Sequence, residues 1–235
     1  MAVAERSISI ETSSGPAEMT LAHTAVIVVD MQNDFGSPGG MFALSGIDTS
    51  HIRAVIPTIA GVLAAARRVG MKVIYLKMGF QPDLSDAGIP DAPLWRVHKG
   101  RHVGETVTAP DGSSSRVLIH DTWNTEILDE LRPETGDIVI KKNRYSGFYE
   151  TELHETLQQL GITDLIVTGC TTSVCVESTI RDASFRDYRC VLLSDCTAEP
   201  IGADLARSNH DASILLIDLM LGRVASSSAL VAALR

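Results

Sequence analysis

Short unbroken apolar runs alternate with stretches of helical period along most of this chain. Thr24–Asp30 (TAVIVVD) is continuous and β-branched, the pattern of a strand buried on both faces, as in a parallel sheet. From Ser50 to Val69, Ile52, Val55, Ile56, Ile59, Val62, Leu63 and Ala66 recur at helical spacing. Pro57 inside this run predicts a kink or a late helix start. Gly70 closes the helix and Lys72–Lys77 (KVIYLK) is the next strand. Trp123–Leu131 reads as a short helix stopped at Pro133, Gly136–Lys141 (GDIVIK) as a strand, and Tyr149–Leu160 as a helix closed by Gly161. Leu165–Val167 predicts a strand, Val176–Asp187 a helix, Tyr188–Ser194 a strand and Ala203–His210 a helix. Ile214–Asp218 predicts a further strand, and Ser226–Leu234 a C-terminal helix.

Two stretches lack such a pattern. Residues 1–22, Ser- and Glu-containing at their start, read as a flexible arm before a single domain spanning 23–235. Met78–His120 is rich in Pro, Asp, Gly and Ser, and a loop of that length is usually functional or hides short elements. It reads as an excursion over the sheet's upper edge that walls a pocket, with a short edge strand near Val117–Ile119.

Strand and helix alternate from end to end, which predicts an α/β fold: one doubly wound, mostly parallel sheet with helices on both faces. A length of 235 residues suffices to bury a substantial core. The net charge of −9 argues against a nucleic-acid surface or a polybasic membrane contact. No run approaches the roughly 18 apolar residues of a spanning helix. No basic-then-apolar signal opens the chain, so the cytoplasm is the expected compartment. The cysteines, Cys170, Cys175, Cys190 and Cys196, form no C-x-x-C pair and have no His at zinc spacing. Thiol chemistry at one of them is the economical reading.

Thr168–Thr179 (TGCTTSVCVEST) turns from a strand through Gly and small hydroxyl residues into a helix, leaving free backbone N–H groups at the helix start. Cys175 sits there, where the positive helix end favours the thiolate. A buried structural cysteine fits the turn, taken alone, equally well. Parallel sheets place ligands beyond the carboxyl ends of their strands. Asp30 ends the first strand, Lys141 and Lys142 end a middle one, and Cys175 follows another, so three reactive types share one rim. Asp30 would accept the thiol proton and return it to a departing amine. The N–H groups of Cys175 and Thr171 would hold the oxyanion. There is no G-x-S-x-G elbow, G-x-G-x-x-G or Walker loop. None of the seven His ends a confident core strand, and His98 with His102 would make a metal pair only on a helix, without an evident carboxylate. A Cys170/Cys175 redox pair has the wrong spacing.

VVDMQNDF around Asp30, KKNRYSGF around Lys142 and VTGCTTSVCVESTIRD around Cys175 resemble the Asp–Lys–Cys triad blocks of the isochorismatase-like cysteine hydrolases. The stretch DTWNTEILDELRPETGDIVIKKNRYSGFYETEL is similar to the ureidoacrylate amidohydrolase branch. The resemblance implies a six-stranded parallel sheet, a catalytic Asp30, Lys142 and Cys175, and a cis Cys170–Thr171 peptide aiming the Thr171 N–H into the oxyanion hole. It also implies Phe35 and Tyr145 in the substrate pocket, and a homo-oligomer, dimer or tetramer. Its reaction would be cofactor-independent hydrolysis of a small amide or ureido (carbamoyl) C–N bond through a Cys thioester. Ser173 stands where that branch carries Asn, as in N-carbamoylsarcosine amidohydrolases, and Leu219–Val224 lacks the usual Phe before Gly222. Both leave the substrate open, biuret and other small amides included. Lys77-Met78-Gly79-Phe80 replaces the D-x-H metal set of nicotinamidases, so no metal is expected. Isochorismatases proper lack the Cys. A catalytically silent member that binds a ligand or partner in the same pocket is the second class of reading.

Overall fold

The computed structural model describes residues 5–235. A hairpin comes first, β1 (Ser7–Ile10) and β2 (Ala17–Thr20). β3 (Thr24–Val29) is followed by two single-turn helices, α1 (Asn33–Gly36) and α2 (Met41–Leu44), and by the long α3 (Ser50–Arg68). After β4 (Lys72–Met78) the chain makes an excursion holding α4 (Pro93–Lys99) and an antiparallel pair, β5 (Thr106–Thr108) and β6 (Ser114–Arg116). Then come β7 (Ile138–Lys142), α5 (Leu153–Gln159), β8 (Asp164–Cys170), α6 (Glu177–Ser184) and β9 (Arg189–Ala198). α7 (Asn209–Leu216), β10 (Arg223–Ala225) and α8 (Ser227–Ala233) complete the chain order.

Six strands form one parallel sheet in the order β10-β9-β8-β3-β4-β7. Every residue of β3 is buried because the strand is covered on both faces. Val26 and Val28 pack toward α3 and α8 with Ile59, Leu63 and Leu230. Ala25, Ile27 and Val29 pack toward α5 and α6 with Leu153, Leu157 and Ile180. Each fully buried aliphatic side chain contributes roughly 1.5–3 kcal/mol, which explains why an unbroken apolar run marks the centre of the sheet. The chain winds outward from β3 to β4 and β7, then returns to the other flank of β3 as β8. The carboxyl end of β3 is therefore the topological switch point, where doubly wound sheets open a crevice.

Several expectations need correcting. The stretch expected as a loose arm holds the β1–β2 hairpin, whose alternating Ile8, Ile10, Ala17 and Met19 are buried in the α3-side core; the period-2 pattern was legible but short. Residues 1–4 of that arm lie outside the described residues. Ile214–Asp218 is no strand: it finishes α7 and enters a π-turn over Ile217–Leu221, and the edge strand is Arg223–Ala225. A short apolar run does not distinguish a strand from a buried helical turn. The residues expected as the Ala203–His210 helix are mostly turns, with the helix starting only at Asn209, capped by the Ser208 side chain accepting from Asp211 N. Trp123–Leu131 splits into two 3₁₀ turns. α3 runs unbroken through Pro57, which stands in its second turn. Val117–Ile119 forms only a single bridge, Phe80 to Ile119, and the excursion's real elements are α4 and the β5–β6 pair.

Candidate active site

Register brings the three rim residues together. Val29 pairs with Gly169 and with Leu76, and Met78 pairs with Lys142, so β3, β8, β4 and β7 finish near one level. Gly169 is required there: it has φ +112°, and a Cβ would sit 2.1 Å from Val29 O. Asp30, just past β3, takes a left-handed φ of 51°, a conformation that a non-glycine residue holds only when its surroundings fix it. Two bonds to its backbone carbonyl do so, from Gln32 N at 2.8 Å and from Cys170 Sγ at 3.2 Å.

The Lys142 ammonium lies 2.8 Å from Asp30 Oδ2, and both side chains are almost wholly buried. Lys142 Nζ also donates to Arg144 O at 3.0 Å and lies 3.6 Å from Met78 Sδ. Its neighbour Lys141, turned the other way by the pleat, reaches out to Asp121 at 2.7 Å. Strand alternation alone separates the two lysines. After β8 the Cys170–Thr171 peptide is cis. A π-turn over Thr172–Val176 follows, closed by Val176 N donating to Thr171 O, and it carries Cys175 into α6. π-turns of this kind are frequent at functional sites. Thr179 Oγ1 donates to Cys175 O at 2.7 Å and accepts from Gly147 N at 3.0 Å, tying the cysteine turn to the loop after Lys142.

Cys175 lies beside this pair, and both Asp30 and Lys142 act on the proton affinity of its thiol. Burial raises the Asp30 carboxyl above its usual range, and Lys142 opposes that rise without cancelling it. Burial alone would pull Lys142 down, but Asp30 and Cys175 more than offset it and hold the ammonium charged. The Cys175 thiol is pushed up, first by burial and further by Asp30, against the pull of Lys142. Desolvation outweighs the pull toward the thiolate expected of the helix start, so the sulfur holds its proton more tightly, beside a carboxylate whose own affinity is raised.

Cys175 and Thr171 open on a cavity of about 240 Å³. Phe35 and Tyr145 line it, as do Phe42, Met78, Leu118 and Ile201. Sequence reasoning missed its remaining polar members, His98 and Arg101, because both stand in the excursion, where no periodicity marked α4. His98 packs on Phe80 at 4.8 Å and is pushed down to about 4 by burial and by Arg144 and Arg101, so it is neutral. His102 instead pairs with Glu105 at 3.0 Å. Among the described residues no three His, Cys, Asp or Glu side chains gather as a metal site would need. Two buried residues of the VVDMQNDF block were also missed. Gln32 bonds Met78 through both its N–H and C=O and reaches Thr125 O at 2.9 Å. Asp34 accepts from Met41 N (2.8 Å), Leu118 N (2.7 Å) and Asn124 Nδ2 (2.6 Å), fastening α2 and the excursion around the cavity. Ser173 turns away from the cavity, its N–H and hydroxyl donating to Glu199 at 3.1 and 2.5 Å.

The isochorismatase domain pattern matches residues 24–229. The chain is 37% identical over 229 residues to a protein of Stutzerimonas stutzeri named ureidoacrylate amidohydrolase RutB, covering 97% of this chain and 90% of that one. It is 39% identical over 219 residues to the protein of the same name from Methylobacterium radiotolerans, covering 93% and 82%. A cysteine hydrolase structure from Pseudomonas syringae pv. phaseolicola superposes with TM-score 0.75 at 29% identity, covering 92% of this chain and 94% of that one. An N-carbamoylsarcosine amidase structure from Thermoplasma acidophilum superposes with TM-score 0.65 at 27% identity, covering 87% and 96%.

Proposed function

The chain belongs to the isochorismatase family, and from that premise we propose that it hydrolyses a small ureido (N-carbamoyl) compound, with Cys175 as nucleophile, Asp30 as proton carrier and Lys142 as electrostatic partner. Its relatives make it a hydrolase of C–N bonds other than peptide bonds. The observation that carries the reading is the buried contact of Asp30 with Lys142 at 2.8 Å beside the Cys175 sulfur, at the mouth of a small cavity.

In the first half-reaction the Cys175 S–H proton passes to Asp30 as the sulfur bonds to the ureido carbon. The carbonyl electrons move onto oxygen, which the N–H groups of Thr171 and Cys175 receive. Collapse breaks the bond to the substituted nitrogen, and the proton held by Asp30 leaves with the amine. A carbamoyl thioester remains on Cys175. Asp30, ionised again, takes a proton from water as its oxygen attacks the thioester carbon. Breaking the C–S bond returns the thiol and frees carbamate, which decomposes to ammonia and carbon dioxide. Lys142 stays charged throughout, compensating Asp30 in the resting state and sulfur once the proton has moved. Phe35 and Tyr145 hold the substrate's uncharged middle. A 240 Å³ cavity lies below the roughly 300–1,000 Å³ of drug-sized sites, in keeping with a substrate of few atoms.

Ammonia release from 3-ureidoacrylate, N-carbamoyl amino acids, biuret and simple amides tests the proposal. Ammonia from a ureido compound by the wild type, and none by Cys175→Ala, is the expected result. Full release by Cys175→Ala overturns it. The thiol's cytoplasmic setting and a dimeric or tetrameric assembly belong to the same proposal, checked by fractionation and by light scattering.

A further inference from the structure

We infer that Arg101 is the anchor for a carboxylate on the substrate, so that the enzyme selects ureido acids over neutral ureas. This rests on the ureido reading above and assigns the far end of that substrate. The cavity is walled by Phe35, Met41, Phe42, Leu118 and other apolar side chains. Charges at its base cancel, since the Asp30 carboxylate faces the Lys142 ammonium and Cys175 keeps its proton. His98 adds no charge near neutral pH. Arg101 is therefore the uncompensated charge of the cavity lining. Its guanidinium lies over the Phe42 ring at 5.6 Å, a cation–π contact that gives it an aromatic support. Among the described residues it has no carboxylate or carbonyl partner, whereas nearby Arg144 is bonded to Asp86 O and Asn143 O at 2.7 Å each. Its field is felt at both His98 and Tyr145, across the cavity mouth.

A half-buried guanidinium with an aromatic support and unused donors is suited to bidentate binding of a carboxylate. The walls between it and Cys175 offer apolar contact, so the ligand that fits has a carbamoyl group at one end, a short apolar linker and a carboxylate at the other. Biuret and simple amides lack the anion and would leave Arg101 unanswered.

The test uses the full chain carrying Cys175→Ala, which binds without turnover. 3-Ureidoacrylate and its uncharged amide, 3-ureidoacrylamide, are titrated by calorimetry. The acid is expected to bind at least about tenfold more tightly, the scale of one charge-assisted bond. Adding Arg101→Gln should bring the two ligands within about twofold, and Arg101→Lys should keep part of the preference, having charge without the fork. An acid preference that survives Arg101→Gln, or an acid that binds no better than the amide, overturns the assignment. The unmutated enzyme separates this from the parent reading. Acid binding through Arg101 without any ammonia release sinks the hydrolase reading and leaves the anchor standing. Equal release from acid and amide sinks the anchor and leaves the hydrolase.

Discussion

The two ends of the central strands each bury a carboxylate against a cation, and they do different things. At the carboxyl end Asp30 meets Lys142 at 2.8 Å, with both side chains sealed from water. At the amino end Asp164, equally buried, meets Arg189 at 2.6 Å, but that arginine is 62% exposed. Asp164 also accepts from Thr163 Oγ1, so its pair is a strand-end clasp fed by solvent. Asp30 has a thiol in place of the hydroxyl and a cation that cannot relax into water. Two carboxylates of one sheet thus differ in how thoroughly their partner is desolvated, and the proposed mechanism gives the proton-carrying role to the one whose partner is sealed from water.

The strongest way to break the comparison is Cys175→Ala. It should lower turnover by at least about 10⁴-fold, as loss of a nucleophile does, with the thermal midpoint within a few degrees of wild type; a folded variant that keeps turnover would end it. Asp30→Asn should cost about 10²–10⁴-fold in kcat/KM, because the proposed base serves both half-reactions. On the proposed mechanism Asp30 must be ionised to accept the proton, and its affinity is raised. Activity should therefore fall with falling pH through a value above the ordinary carboxylate range, and an acid limb near pH 4 would contradict this. At the amino end, Asp164→Asn should cost about 1–3 kcal/mol of stability, lowering the melting temperature by several degrees while kcat stays within about twofold. A large kcat loss there would erase the distinction between the ends. Arg189→Gln should be smaller still, under about 1 kcal/mol, because its side chain is solvated.

Asp34 sharpens the same lesson, because it is buried without any cation. Burial pushes it up to about 6, against the bonds from Asn124, Met41 and Leu118. A raised folded-state value means its stabilising contribution is complete below the ordinary carboxylate range and is lost as pH rises toward about 6. Relative to Asp34→Asn, the wild type should lose about 2 kcal/mol between pH 4 and pH 7, read by urea unfolding at both values. The amide leaves one oxygen for three donors, so the variant should also raise KM more than it lowers kcat.

The gathering of residues at the rim was legible because β-branched runs mark β3 and β8, and parallel topology then carries Asp30 and Cys175 to one edge. Choosing Lys142 over Lys141 needed the motif or the pleat, since composition treats the two alike. The raised proton affinity of Cys175 was not legible: the helix start is a local feature, whereas burial and the neighbouring Asp30 charge come from the assembled fold. The cavity's far wall stayed hidden for another reason. α4 is seven residues long, and Arg101 follows it in a turn, so neither period reaches it. The Ile214–Asp218 error is the same limit at smaller scale.

β7 is an edge strand, held on one side by β4, and it ends in two lysines that the pleat sends in opposite directions. Which of them reaches the sulfur is a question of parity, not of side-chain type. An insertion of one residue between Pro133 and Ile138 that β7 absorbed by sliding would bury Val139 and Lys141 and turn Ile138 and Ile140 outward. Such a variant would still offer an ammonium to Asp30. It would have traded apolar cover for it, and would betray itself by aggregation before it lost its chemistry.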